Sequence, residues 1–163
     1  MRTGAKRVLG LALAISLFSG ASAASARDGT VTLTARLTGA QEVPVAADPD
    51  GSGKAKVHID VAGGEVCFDV KLDDTGAPNR GHIHSGAAGV NGPIVVTFFE
   101  LRVTDTQPAS DPRNDALEDG RLQDCVPGDP TILADIVAHP DLYYVNVHNA
   151  RFPAGSMRCQ LEP

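Results

Sequence analysis

The sequence predicts an all-β fold: an antiparallel Greek-key-like β-sandwich with one short inserted helix. Three observations carry that expectation. Apolar residues recur at every second position in several short runs, as in strands that bury one face. Glycine and proline, 17 and 11 of them in 163 residues, separate those runs at short intervals. A helical apolar stripe occurs once.

In chain order, Val31, Leu33, Ala35 and Leu37 alternate with Thr32, Thr34 and Arg36, and Val57, Ile59 and Val61 alternate with Lys56, His58 and Asp60. Gly63-Gly64 then makes a hairpin turn, because glycine tolerates the positive φ that tight turns require. The return strand places Val66, Phe68, Val70 and Leu72 on one face, with Cys67, Asp69 and Lys71 on the other. Ile94 to Phe99, behind Gly92-Pro93, is a continuous apolar run that suits a buried strand. Residues 101–121, with Pro108 and Pro112, read as a long acidic loop. Asp129 is placed to cap a helix over Pro130 to His139, since proline at the first helical position loses no hydrogen bond. Ile132, Leu133, Ile136 and Val137 form its apolar stripe, and Pro140 stops it. Tyr143 to His148 and Met157 to Leu161 supply two further strands. At least six apolar strand faces need burial, and two packed sheets provide it.

Composition narrows the partners. The chain is long enough for one domain with a real core, and 42% hydrophobic residues is too high for disorder. The formal charge is −6 with no basic run, which weighs against nucleic acid and anionic membrane surfaces. At the N-terminus Arg2, Lys6 and Arg7 flank an apolar run from Val8 to Phe18, and Ala21–Ala23 and Ala24–Ala26 offer A-x-A cleavage sites. That run is well short of the ~20 residues that cross a bilayer. The expectation is a signal peptide over residues 1–26 and a domain over 27–163, secreted or held in the cell envelope, with no membrane span after cleavage.

Three cysteines in an exported chain allow one disulfide and leave one thiol. Cys159 shares its strand face with Met157 and Leu161 and reads as a small core hydrophobe. Cys67 faces away from the core and Cys125 ends the polar loop, so Cys67–Cys125 is the favoured pair. Pairings through Cys159 are the alternatives.

The histidines carry the chemistry. Alternation within Gly81-His82-Ile83-His84-Ser85-Gly86 puts both imidazoles on one face, with Ile83 on the other. In Tyr143 to His148 the same rule groups Tyr144, Asn146 and His148. An H-x-H pair joined by a histidine from a neighbouring strand is a reasonable copper or zinc site, with His82, His84 and His148 as ligands. The competing reading makes these rings hydrogen-bonding pegs for loops at one end of the sandwich. His58 faces outward, and His139 at the helix end suits the dipole. Asp48-Pro49-Asp50-Gly51-Ser52-Gly53 opens like a calcium loop, but Ile59 stands where a bidentate Glu belongs, so it reads as an acidic turn. There is no G-x-S-x-G elbow around Ser85, no phosphate loop in the glycines at 86, 89 and 92, and no paired-carboxylate motif. The leading expectation is a non-catalytic binding or structural module for a protein or cell-envelope ligand. The alternative is a copper-binding or copper-dependent redox protein.

Three segments together resemble the CHRD domain: Gln41-Glu42-Val43-Pro44; Gly81 to Val95 (GHIHSGAAGVNGPIV); and Tyr143 to Gly155 (YYVNVHNARFPAG). Met157 to Leu161 is similar to that family's terminal strand, which usually carries Gly where this chain has Cys159. The likeness covers about residues 30–161. It implies a single-domain exported protein of bacterial type, and it groups His82, His84 and His148 in shared motifs. A more distant likeness to copper/zinc superoxide dismutase implies that these three stand for copper ligands. The bridging histidine, the zinc-site aspartate and the guiding arginine of that enzyme cannot be placed here, so dismutase activity is not implied. What is implied is copper(II) on three converging ring nitrogens, with a fourth position open or taken by water. Binding should weaken as pH falls through about 6.

Overall fold

The computed structural model describes residues 29–101 and 120–163. The expected signal segment, residues 1–26, and nearly all of the expected loop 101–121 lie outside the described residues. Eight strands follow one another: β1 (Thr30–Thr38), β2 (Ser52–Asp60), β3 (Glu65–Asp73), β4 (Pro78–Ser85), β5 (Ile94–Glu100), β6 (Arg121–Pro127), β7 (Tyr143–Asn149) and β8 (Met157–Gln160). Among the described residues one α-helix, α1 (Pro130–Ala138), lies between β6 and β7, with short 3-10 turns at Gly39–Gln41 and Pro140–Leu142. Among the described residues, no helix is long and apolar enough to cross a membrane.

The strands pair antiparallel in the order β5-β4-β7-β8-β1-β2-β3-β6. The expected all-β class with one short helix is what the chain forms. The hydrogen bonding makes one continuous sheet, which curls until Phe98 of β5 stacks on Phe68 of β3 with ring centroids 4.6 Å apart. β3 neighbours β6 and β4 neighbours β7, so the chain crosses over between them as a Greek key does.

Register puts the alternation to use. Leu33 lies opposite Val57, and Val57 opposite Phe68, so three strands send their apolar side chains into one core. Each such side chain, fully buried, contributes roughly 1.5–3 kcal/mol. The β2–β3 turn is held by Gly63 N–H donating to Asp60 Oδ1 at 2.7 Å, and Gly64 takes φ +64°. Asp129 caps α1 by accepting from the N–H groups of Thr131 and Ile132, and Leu133 and Ile136 are buried beneath it.

Three details differ from expectation. β6 is a strand although its sequence, RLQDCVP, has Leu122 as its one buried residue; pairing along β3 from Glu65 to Lys71 holds it. Ile94, expected in a buried strand, is 48% exposed because β5 stands at the end of the hydrogen-bonded order. Asp48, read as part of an acidic turn, is buried there: the hydroxyls of Thr75 and Ser156 and the N–H of Gly51 donate to its carboxylate. Cys67 and Cys125 sit directly opposite on β3 and β6 and are disulfide-bonded, S–S 2.03 Å, leaving Cys159 free and packed against the core. Such a bond suits an oxidising, extracytoplasmic compartment.

Every residue of β7 is buried. Val145 and Val147 join Ile83 and Met157 in the core, which leaves Tyr144, Asn146 and His148 to be covered from the other side. Three loops do this, around residues 39–48, 86–93 and 150–156, and the functional candidates lie beneath them.

Candidate metal centre

β4 and β7 pair with His82 opposite Asn146, His84 opposite Tyr144 and Arg80 opposite His148. Strand alternation therefore brings His82, His84 and His148 together on the loop-covered face. One ring nitrogen of each lies within 4.8 Å of those of the other two. His82 is 1% and His148 7% exposed, so the cluster is closed rather than rim-like.

Hydrogen bonds fix how two of the rings present themselves. His84 Nδ1–H donates to the Gly92 carbonyl at 2.9 Å, and His148 Nδ1–H to the Pro153 carbonyl at 3.2 Å. Each Nε2 then carries a lone pair and no proton, the arrangement in which a backbone carbonyl orients a metal-binding imidazole. His84 Nε2 is buried with no hydrogen-bond partner among the described residues. His82 is held differently. Its Nε2 lies 3.5 Å from Glu100 Oε1, too long for a good hydrogen bond, and its Nδ1 faces His148 Nε2 at 3.3 Å. Tyr144 stacks on the His84 ring at 4.9 Å and 8°, limiting its rotation.

Burial sets the charge state. It pushes His148 down to about 4, helped by the charges of His82 and Arg80. His82 is lowered first by burial and then by His84, and His84 by burial with Arg158 adding to it. All three rings are neutral at pH 7, the state that can coordinate a cation.

The comparisons with known proteins bear on this site. The model of one family, the CHRD domain, matches residues 33–161. The chain belongs to the CHRD family. No curated relative and no solved structure matches it, so the likeness to copper/zinc superoxide dismutase rests on the histidine pattern alone. His82, His84 and His148 of this CHRD domain fall inside the matched span.

Sequence reasoning missed several polar residues that surround them. Arg158 of β8 is 2% exposed; its Nε donates to the Gln41 carbonyl at 2.7 Å and its Nη1 to Asn91 Oδ1 at 2.9 Å, with the guanidinium 4.7 Å over the Tyr144 ring. Glu42 is 6% exposed and accepts from Asn146 Nδ2 at 3.1 Å. Alternation had already placed Asn146 on the histidine face, which was the available signal. The remaining histidines lie elsewhere: His58 Nδ1 meets Thr32 Oγ1 at 2.8 Å, and His139 Nε2 is 4.0 Å from Asp135. A second convergence, Glu65 with Cys67 and Cys125, offers no thiolate, because both sulfurs are in the disulfide.

Proposed function

We propose that this CHRD domain is an extracytoplasmic binding module whose three-imidazole cluster takes a transition-metal ion, copper(II) ahead of zinc. One observation carries the reading. His84 and His148 spend their Nδ1–H on backbone carbonyls, His148 Nε2 faces His82 Nδ1, and one ring nitrogen of each of the three lies within 4.8 Å of the other two. Two nitrogens bound ~2.0–2.1 Å from one ion stand about 2.9 Å apart at the right angle of tetragonal copper(II) and about 3.3 Å apart at a tetrahedral angle, so a small movement of the rings serves either. The His82–His148 separation is 3.3 Å. With neutral imidazole ligands, the usual divalent order favours copper(II). The burial of His82 and His148 supports a holding role over turnover of a substrate.

The second reading is a binding module without metal, in which His82 Nδ1–H donates to His148 Nε2. The existing 3.3 Å contact favours it, although that is long for such a bond.

Copper titration of the protein, followed by absorption and electron paramagnetic resonance, separates the two. The expected result is one copper per chain at micromolar levels, lost in His82→Ala, His84→Ala and His148→Ala. Because burial lowers the three imidazoles, binding should persist below pH 6 and fail toward the His148 value of about 4. Equal binding by the wild type and all three variants would place the metal elsewhere. No binding by a folded wild type leaves the hydrogen-bonded reading.

A further inference from the structure

Beside the histidine cluster, residues 42–47 and 151–155 enclose a cleft of about 280 Å³. Its walls are largely apolar, with Pro44, Val45, Phe152 and Pro153 among them, and Val45 is 74% exposed. Glu42 is the one acidic residue lining it, and its carboxyl is almost wholly shut from bulk water. A Cβ on Gly155 would stand 2.6 Å from Glu42 Oε2, so glycine is what leaves room for the carboxyl there.

That carboxyl is short of partners. A carboxylate has about four acceptor sites. Among the described residues, Asn146 Nδ2 is the one side-chain donor to it, at 3.1 and 3.4 Å from the two oxygens. Arg158 adds a favourable field but, among the described residues, makes its hydrogen bonds to Gln41, Val90 and Asn91. Burial consequently pushes Glu42 up to about 7, despite Arg158. The Oδ1 of Asn146 is also buried without a partner among the described residues. Buried polar groups are ordinarily satisfied, so this combination marks a site prepared for a donor that the chain does not supply. The chain's net charge of −6 favours a cationic donor at long range.

We propose that this cleft binds a primary ammonium carried on a short aliphatic chain, with Glu42 taking the ammonium and the walls around Pro44, Val45 and Phe152 taking the methylenes. The site is independent of the metal reading. Arg151 at the rim is exposed, with its guanidinium 5.1 Å over the Phe152 ring, so its repulsion of a cation is screened by water.

The test is NMR titration of the metal-free protein with n-butylammonium, beside butyrate and butan-1-ol. Saturable shifts at the amides of Ala46 and Gly155 are expected, with the millimolar affinity of a small fragment. Glu42→Gln should weaken binding at least about ten-fold, the effect of losing a charge-assisted partner. Arg151→Ala, at an exposed position that leaves the fold alone, should tighten it about two-fold by removing a screened like charge. Binding should strengthen as pH rises through about 7, since Glu42 must ionise; the charged groups around it are Arg158 on β8 and Arg151, with His82 one strand beyond Asn146. An N-acetyl-lysine amide arm distinguishes a protein-borne lysine, which binds as butylammonium does, from a free amine, for which it fails to bind. Equal shifts with butyrate or butan-1-ol, unchanged affinity in Glu42→Gln, or no saturable shift would overturn the proposal.

Discussion

β3 and β7 belong to one sheet and are built on opposite plans. β3 alternates, with Val66, Phe68, Val70 and Leu72 in the core and Glu65, Cys67, Asp69, Lys71 and Asp73 toward solvent. β7 has no outward face at all, because loops close over Tyr144, Asn146 and His148. Six buried side-chain polar atoms lack a partner among the described residues, and five of them, on Asn79, His82, His84, Asn146 and Arg158, belong to β4, β7 and β8. None belongs to β3. A solvated face satisfies its polar groups with water, whereas a covered face must supply every partner itself or reserve some for a ligand. The distribution of unmet hydrogen bonds is therefore uneven, and it is the covered face on which the proposed ligand sites rest.

Two arginines test the contrast most severely. Arg158→Ala removes a buried cation that ties two covering loops to the sheet, and should cost about 3–5 kcal/mol in urea denaturation. Arg121→Ala removes a comparably well-formed pair, since Arg121 donates to both Asp69 oxygens at 2.7 and 2.8 Å. That pair is on the exposed side, so the loss should stay below about 1 kcal/mol. Similar costs for the two would break the comparison.

Reduction of the Cys67–Cys125 disulfide should come next. It closes a separation of 58 residues on the β3 side, and breaking it should lower stability by about 2–4 kcal/mol. The histidine cluster lies across the sheet, so copper stoichiometry in a Cys67→Ala/Cys125→Ala variant should stay that of the wild type. A parallel loss of copper would show that the two regions are not separable.

The smallest effect is a matter of pH. Glu42 is raised from 4.5 to about 7 by burial, so its contribution is complete below pH 4.5 and lost as pH rises through about 7. His148 is depressed from 6.5 to about 4, so its contribution is present above pH 6.5 and lost as pH falls through about 4. Between 4.5 and 6.5 the two slopes oppose each other in the metal-free protein. Glu42→Gln should leave stability at pH 4.5 nearly unchanged and raise it at pH 8 by about 1–3 kcal/mol. Asp69, lowered chiefly by Arg121, matters on the β3 side only in acid, as pH falls below its ordinary value of 3.8. Thermal melts across this range will show whether the covered face alone responds near neutrality.

The same contrast governs how much could be read from the sequence. On β1, β2 and β3 the period-two pattern maps directly onto burial, because one face meets water. His82, His84 and His148 could be grouped because alternation depends on the backbone and not on what covers the face. Arg158 and Glu42 could not be recognised as buried. Charged residues read as outward, and their burial depends on loops that approach from residues 39–48 and 86–93. β6 escaped notice for the opposite reason: Arg121–Pro127 has little apolar pattern of its own and is held by pairing with β3.

The long reach of the polar cluster also sets an order of assembly. β2 and β3 can zip together through a tight turn as soon as they are synthesised. The His82–His148 contact spans 66 residues and the Arg158–Gln41 contact 117. Loop closure of that length is slow, and such contacts form after local ones. A chain emerging from its N-terminus has its hairpin half in place while His82 and His84 still await β7. The covered face is thus complete only when β8 docks and Arg158 ties down its loops, so any ion or ligand held there would meet a completed domain and not a growing chain.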